Sequence, residues 1–455
     1  MGKKNQKLAI LVALVVASTF TGCSNKTVEQ SEKVAEVEQA ESNSNRLSKS
    51  DIESIEKAIA EQRFVDNLTE NGEGIAKVRK AADFASMMTD FVTQLNSMPQ
   101  FNSEEEFSVD LRSRDVSVLD LTNEMENLKY ASFDSKTKWP SADKMPADFD
   151  PEKIMENGKN PGLGIRALHG QGITGKGVGI AIIDHPLLVD HAEYKNNLKL
   201  YEEIGVVDVY DKVEDEHGPA VASLAVGKTC GVAKDADLYF IGCTKFSDDI
   251  VCANTCKCID RILEINEKLP ADRKIRVISI SRGYEPEYKD FDKLEAKIKE
   301  AEEKGVFVLT TGPSAFISQK NISFMGLDRI DLNKVESSAD YTTAVWYTGA
   351  YTENEDLFSP ATLLVPEGNR THANCQGQHL YGYDSVGGKS WATPYFAGCY
   401  ALACQVYPQI TPNQFFELAI KTGDILNDTP ENTRKDKENA RIINMAKLIE
   451  ELKKL

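Results

Sequence analysis

The feature that most narrows the fold of this 455-residue chain lies after Gly162, where short runs of β-branched and aliphatic residues recur with helical patterns between them. Gly179-Ile180-Ala181-Ile182-Ile183 ends in the acid Asp184. Ile275-Arg276-Val277-Ile278-Ser279-Ile280-Ser281 and Val306-Phe307-Val308-Leu309-Thr310 repeat the theme, and apolar positions at helical spacing fill 249–268 and 290–304. A strand that is apolar on both faces has no side for water, so it belongs inside a sheet covered on both sides. Alternation with helices supplies the cover and makes the sheet mainly parallel. Such a layered α/β sheet carries its sites at the carboxyl ends of its strands. Asp184 and Ser281 stand there.

The chain ahead of this block has a different texture. Lys3, Lys4 and Lys7 precede an uncharged apolar run from Leu8 to Phe20. That run is shorter than the about 20 residues a spanning helix needs, and it suits the core of a secretion signal. It ends in Phe20-Thr21-Gly22-Cys23, followed by Ser24-Asn25-Lys26, which resembles a bacterial lipobox with Phe20 where leucine is usual. This reading gives a lipoprotein signal peptide at 1–22 and a lipidated Cys23 that anchors the mature chain to the bacterial cell membrane, outside the cytoplasm. A plain secretory signal with an incidental cysteine is the alternative. Residues 23–49, rich in Glu, Ser, Asn and Gln, read as a flexible tether. Residues 50–150 read as a smaller, mostly helical N-terminal region and connector. Ile52, Ile55, Ile59 and Phe64 mark one helical stripe, and Ala82, Phe84, Met87, Met88, Phe91 and Leu95 mark another. The main domain is expected over 151–425, with a helical tail over 426–455.

Three segments carry chemistry when they are taken together. One is the strand ending at Asp184. The second is Asp215-Glu216-His217-Gly218-Pro219, opening a helix, and the third is Gly388-Lys389-Ser390-Trp391-Ala392-Thr393-Pro394, a serine at a helix start. Each alone is common. In the order Asp, His, Ser they closely resemble the subtilisin-like serine proteases (subtilases, peptidase family S8). Gly231-Val232-Ala233, Ile278-Ser279-Ile280-Ser281-Arg282-Gly283, Phe358-Ser359 and Val365-Pro366-Glu367-Gly368 resemble further landmarks of that family. The resemblance runs from about Asn160 to Gly423.

It implies a subtilisin-like three-layer α/β fold and a serine endopeptidase. Ser390 would be the nucleophile, His217 the general base and acid, and Asp184 the carboxylate that orients the imidazole. Ser281, Arg282 and Gly283 would offer backbone groups to an extended peptide substrate. The reaction needs no cofactor. Calcium sites are frequent in the family, but no acidic loop of this sequence identifies one, and no metal ligands are assigned. Residues 50–150 stand where the family often has an inhibitory propeptide; a permanent extension is the other reading.

The sequence departs from the family pattern at the oxyanion region. Where the family has an asparagine amide, Thr311-Gly312-Pro313-Ser314 puts Pro313, which has no donor in side chain or backbone. Loss of one such donor costs about 10²–10³ in turnover, a figure that comes from subtilisin itself. This favours a rival reading, a weak or inactive pseudoprotease that binds peptides or partner proteins. The intact Asp184, His217 and Ser390 favour the enzyme.

Other features exclude more than they assign. A net charge of −18, with no basic stripe against it, argues against nucleic-acid binding. Nine cysteines in so long a chain do not read as a disulfide scaffold. Cys252 and Cys256 share a helical face with Ile259 and Leu263, so these and Cys258 are read first as core, then as disulfide, last as metal ligands. His185 and His191 are read as structural.

Overall fold

The computed structural model describes residues 74–75, 92–103, 105, 107–204, 216–243, 250–311, 323–345, 362–426, 429 and 440–455. Cys23, nearly all of the two N-terminal helical stripes, and Gly312, Pro313 and Ser314 lie outside the described residues.

The described part of the N-terminal region falls almost wholly on its connector rather than on the helical stripes. It holds strands β1 (Gly74–Ile75), β2 (Thr93–Gln94), β3 (Arg114–Asp115) and β4 (Phe133–Asp134), and an α-helix of four residues, Met125–Leu128. Aspartates fix turns here. Asp110, Asp115 and Asp120 each accept the backbone N–H two residues on, at 3.0, 3.1 and 3.1 Å, closing a turn that competes with helix. This stretch is more than a connector. Val109, Leu111, Val116, Leu121, Leu128, Phe133 and Phe149 are buried in a core that also takes in Tyr383 of the main domain.

The main sheet follows, with β5 (Gly179–Asp184), β6 (Leu198–Ile204), β7 (Asp237–Cys243), β8 (Ile275–Ile280) and β9 (Phe307–Thr310). Its order is β1-β6-β7-β5-β8-β9, and every pairing is parallel. Strand alternation divides the apolar residues between two layers. Ile180, Ile182, Phe240, Val277 and Leu309 join a core shared with the helices His217–Val226 and Gly388–Val406. Ala181, Ile183, Ile241, Ile278 and Val308 face the helices Val251–Lys268 and Phe291–Glu303. This is the three-layer architecture expected. Cys252 and Cys258 are buried in the second core, Cys256 is partly buried beside it, and all eight cysteines from Cys230 onward are free thiols.

A second sheet uses β10 (Ser323–Arg329), β11 (Tyr341–Thr343) and β12 (Thr362–Pro366), and β13 (Arg370–Ala373) and β14 (Tyr381–Asp384) form a hairpin beside it. β4 of the N-terminal region completes that hairpin as a third, antiparallel strand. Near the C-terminus come β15 (Asp424–Ile425) and β16 (Arg441–Ile442). β16 runs parallel to β12, so Ile442 belongs to a sheet and not to a helical tail. Asn444 caps the helix Met445–Leu452 by accepting the Lys447 N–H, which fixes the helix start after the strand. Leu448, Ile449 and Leu452 enter the main core. No helix among the described residues is long and apolar enough to cross a membrane.

Candidate active site

β5 is central in its sheet and delivers Asp184 at its carboxyl end. The Asp184 side chain is nearly buried, and one oxygen, Oδ1, accepts both the His185 N–H at 2.8 Å and His217 Nδ1 at 2.6 Å. His217 is the first residue of its helix, held close by Gly218. A β-carbon at Gly218 would collide with the His185 carbonyl oxygen and lie 2.8 Å from that of Pro186. The His-Gly pair thus lets a helix start press against the loop after Asp184.

Ser390 sits in the first turn of Gly388–Val406. Pro394, four residues on, has no N–H to give the Ser390 carbonyl. That carbonyl accepts the Ser281 hydroxyl instead, at 2.8 Å, and Ser390 Oγ donates to the Ser281 carbonyl at 3.4 Å. The helix is therefore pinned to the end of β8, beside β5. Trp391 brings the same turn to the histidine, its ring 5.2 Å from that of His217. The strand end, the helix start and the second helix start thus meet at one site, and the first N–H groups of the Gly388–Val406 helix have no partner within the helix. Gly388, at φ +59°, makes the turn into that helix.

The subtilase family model matches residues 175–442, more than half of the chain. The chain belongs to the subtilase family. The serine protease AprX of Bacillus subtilis (strain 168) is 26% identical over 285 residues, which span 56% of this chain and 63% of that protein. Among solved structures, the prenylagaramide maturation protease PagA aligns with a TM-score of 0.45 at 16% identity, covering 64% of this chain and 98% of that one. A cold-adapted subtilisin-like serine proteinase aligns with a TM-score of 0.40 at 17% identity, covering 59% of this chain and 89% of the other.

Around this site of the subtilase, the sequence-predicted residues fare differently. Ser281 is tied to Ser390 as described. The Arg282 carbonyl is taken by the Thr311 N–H at 3.1 Å, and the Arg282 N–H reaches back to Ile280 O at 2.8 Å. Gly283 continues that segment, partly exposed. Lys389 extends over the Phe324 ring, 5.4 Å from its centroid, and burial lowers its pKa to about 8 against the opposing pull of Glu367. His191 is structural: it is wholly buried and its Nε2 pairs with Leu380 O at 3.0 Å. His185 is nearer the chemistry than expected, with its ring 5.4 Å from that of His217.

Sequence reasoning missed a charged network under the site. Glu216, the residue before His217, accepts Arg112 Nη1 at 2.8 Å, and Arg112 Nη1 lies 3.7 Å from Asp384 Oδ1. Asp384 Oδ2 pairs with His372 Nε2 at 2.9 Å and accepts Trp391 Nε1 at 3.3 Å. Burial opposes the Asp384 carboxylate, but Arg112 and His372 outweigh it and hold its pKa below the ordinary value. Burial likewise opposes the His372 imidazolium, and Asp384 outweighs it and raises its pKa. Glu216, His372 and Asp384 are close enough to share a metal ion, as are Asp184, His185 and His217. The first group already faces the Arg112 guanidinium, and the second contains the short Asp184–His217 bond. No local pattern marks it, because the polar and apolar residues of β13 are buried alike and nearly so in β14.

Proposed function

We propose that this subtilase is a serine endopeptidase that hydrolyses peptide bonds through an acyl-enzyme on Ser390. The observation that supports it most is the 2.6 Å Asp184–His217 bond beside the helix start that presents Ser390. Asp184 keeps the Nδ1 proton of His217 in place, which leaves Nε2 as the base. His217 takes the Ser390 proton as Oγ attacks the scissile carbonyl carbon, and then gives that proton to the departing amine. Water, deprotonated by His217, attacks the ester and returns Ser390. The Ser390 N–H, at the positive end of its helix, stabilises the oxyanion. The segment Ser281-Arg282-Gly283 would receive the peptide as an added strand through Ser281 and Gly283, since the Arg282 N–H and carbonyl are already engaged with Ile280 and Thr311.

The same proposal places the enzyme outside the cytoplasm, tethered to the membrane through lipid on Cys23. That part rests on the sequence around the cysteine. A second reading, a peptide-binding pseudoprotease, is favoured by Pro313 in place of an amide donor. Hydrolysis of a quenched fluorescent protein substrate by the detergent-extracted chain separates the two. Wild type should cleave, Asp184→Asn should fall about 10⁴-fold, and Ser390→Ala should be silent. Cys23→Ser should move the protein from the membrane to the soluble fraction. Equal hydrolysis by wild type and Ser390→Ala would remove the enzymatic reading, and an unchanged distribution of Cys23→Ser would remove the anchor.

A further inference from the structure

Arg112 belongs to the N-terminal region, yet it joins the chain neighbours of two proposed catalytic residues. Its guanidinium is first fixed from its own side. Nε and Nη2 bind Asp110 Oδ1 and Oδ2 at 2.9 and 3.0 Å, and the guanidinium carbon lies 4.8 Å from the centre of the Phe107 ring. Nη1 is left pointing into the main domain, toward Glu216 Oε1 and Asp384 Oδ1. Glu216 immediately precedes His217. Asp384 is wholly buried, and its other oxygen holds the indole of Trp391, which immediately follows Ser390. The Trp391 ring lies between two imidazoles, 5.2 Å from His217 and 5.1 Å from His372.

The segment around Arg112 is attached like a permanent part. β4 hydrogen-bonds to β14, the strand that carries Asp384. Tyr383 of β14 packs in the N-terminal core with Phe133, their rings 4.9 Å apart. Ser113 Oγ donates to Asp134 Oδ2 at 2.8 Å, locking the Arg112 turn to β4. Removing this segment would expose the Tyr383 face and leave Asp384, a fully buried carboxylate, without the cation facing its Oδ1, which is costly.

We propose that residues 107–150 are retained in the active enzyme and that Arg112 is a positioning residue, clamping the His217 and Ser390 segments in register through Glu216 and Asp384. This rests on the endopeptidase reading above and resolves its propeptide alternative for this stretch in favour of a permanent element. The charged groups facing the guanidinium are Asp110 on its own segment, Glu216 before the His217 helix, and Asp384 with His372 on the β13–β14 hairpin.

The test compares wild type, Arg112→Lys and Arg112→Met in the full chain. It reads fluorophosphonate labelling rate against pH, the NMR titration of His217 and the mass of the labelled species. Wild-type labelled protein should still contain residues 107–150. Arg112→Met should label about tenfold more slowly. Its acid limb and the His217 titration should both move up by about half a pH unit, because Glu216, the residue before His217, and Asp384 both lose their counter-cation. Arg112→Lys, which keeps the charge but not the fork, should recover part of the rate and most of the titration. A loss of folding alone would lower the labelled fraction without moving either pH midpoint, and would overturn the clamp. So would a labelled wild-type species that lacks residues 107–150, or an Arg112→Met protein unchanged in rate and titration. If wild type never labels, the endopeptidase reading fails, and the His217 titration still decides the clamp.

Discussion

A β-carbon at Gly218 would strike the His185 carbonyl and crowd that of Pro186, so the bare glycine lets the His217 helix come close to the end of β5. Gly218→Ala should cost about 1–3 kcal/mol of stability as the helix backs away. It should also slow hydrolysis by about 10- to 100-fold, since the Asp184–His217 bond loses its length and angle. Chemical denaturation and steady-state hydrolysis on the same preparation check both. Unchanged hydrolysis would mean that the approach is set elsewhere. Pro394 works on the Ser390 helix by the opposite means, withholding a donor so that Ser281 can hold the Ser390 carbonyl. Both features were visible as residues in the sequence. Their roles were not, because the carbonyls they leave room for or leave unpaired belong to segments far along the chain.

The hairpin of β13 and β14 is where polar groups inside an element carry consequences. His372 and Asp384 are both wholly buried and paired at 2.9 Å. The His372 pKa is raised in the folded protein, so its contribution to stability is fully present below the ordinary histidine value of 6.5 and is lost as pH rises through the folded value. Asp384 is depressed, so its contribution is present above 3.8 and is lost as pH falls through its folded value. Breaking such a buried pair costs about 3–5 kcal/mol. His372→Gln should therefore lower Tm most at about pH 5 to 6, with the gap to wild type closing above 6.5. A gap independent of pH would mean that His372 acts through packing alone. The main-sheet strands were legible because their apolar runs are continuous, and the helices between them because their period is clear. The short strands β2, β3, β4 and β16 were not, since two residues carry no period and pairing with a distant partner decides them.

Across the whole molecule, the three layers place every described residue of the proposed triad at one rim of the main sheet, where β5 and β8 end. The order Asp184, His217, Ser390 was readable because each stands beside a local marker, a strand end or a glycine at a helix start. The docking of residues 107–150 against β14, and the return of the C-terminus to the sheet as β16, depend on pairings between segments more than two hundred or seventy positions apart; sequence pattern records no such distance. The central claim is that Ser390 is an activated nucleophile. Fluorophosphonate labelling of the full chain at neutral pH, followed by peptide mass mapping, tests it most directly. A phosphonyl adduct on Ser390 is expected, slowed when Asp184 is replaced by Asn and absent in Ser390→Ala. A folded wild-type chain that stays unlabelled, or carries its adduct on another residue, would contradict it.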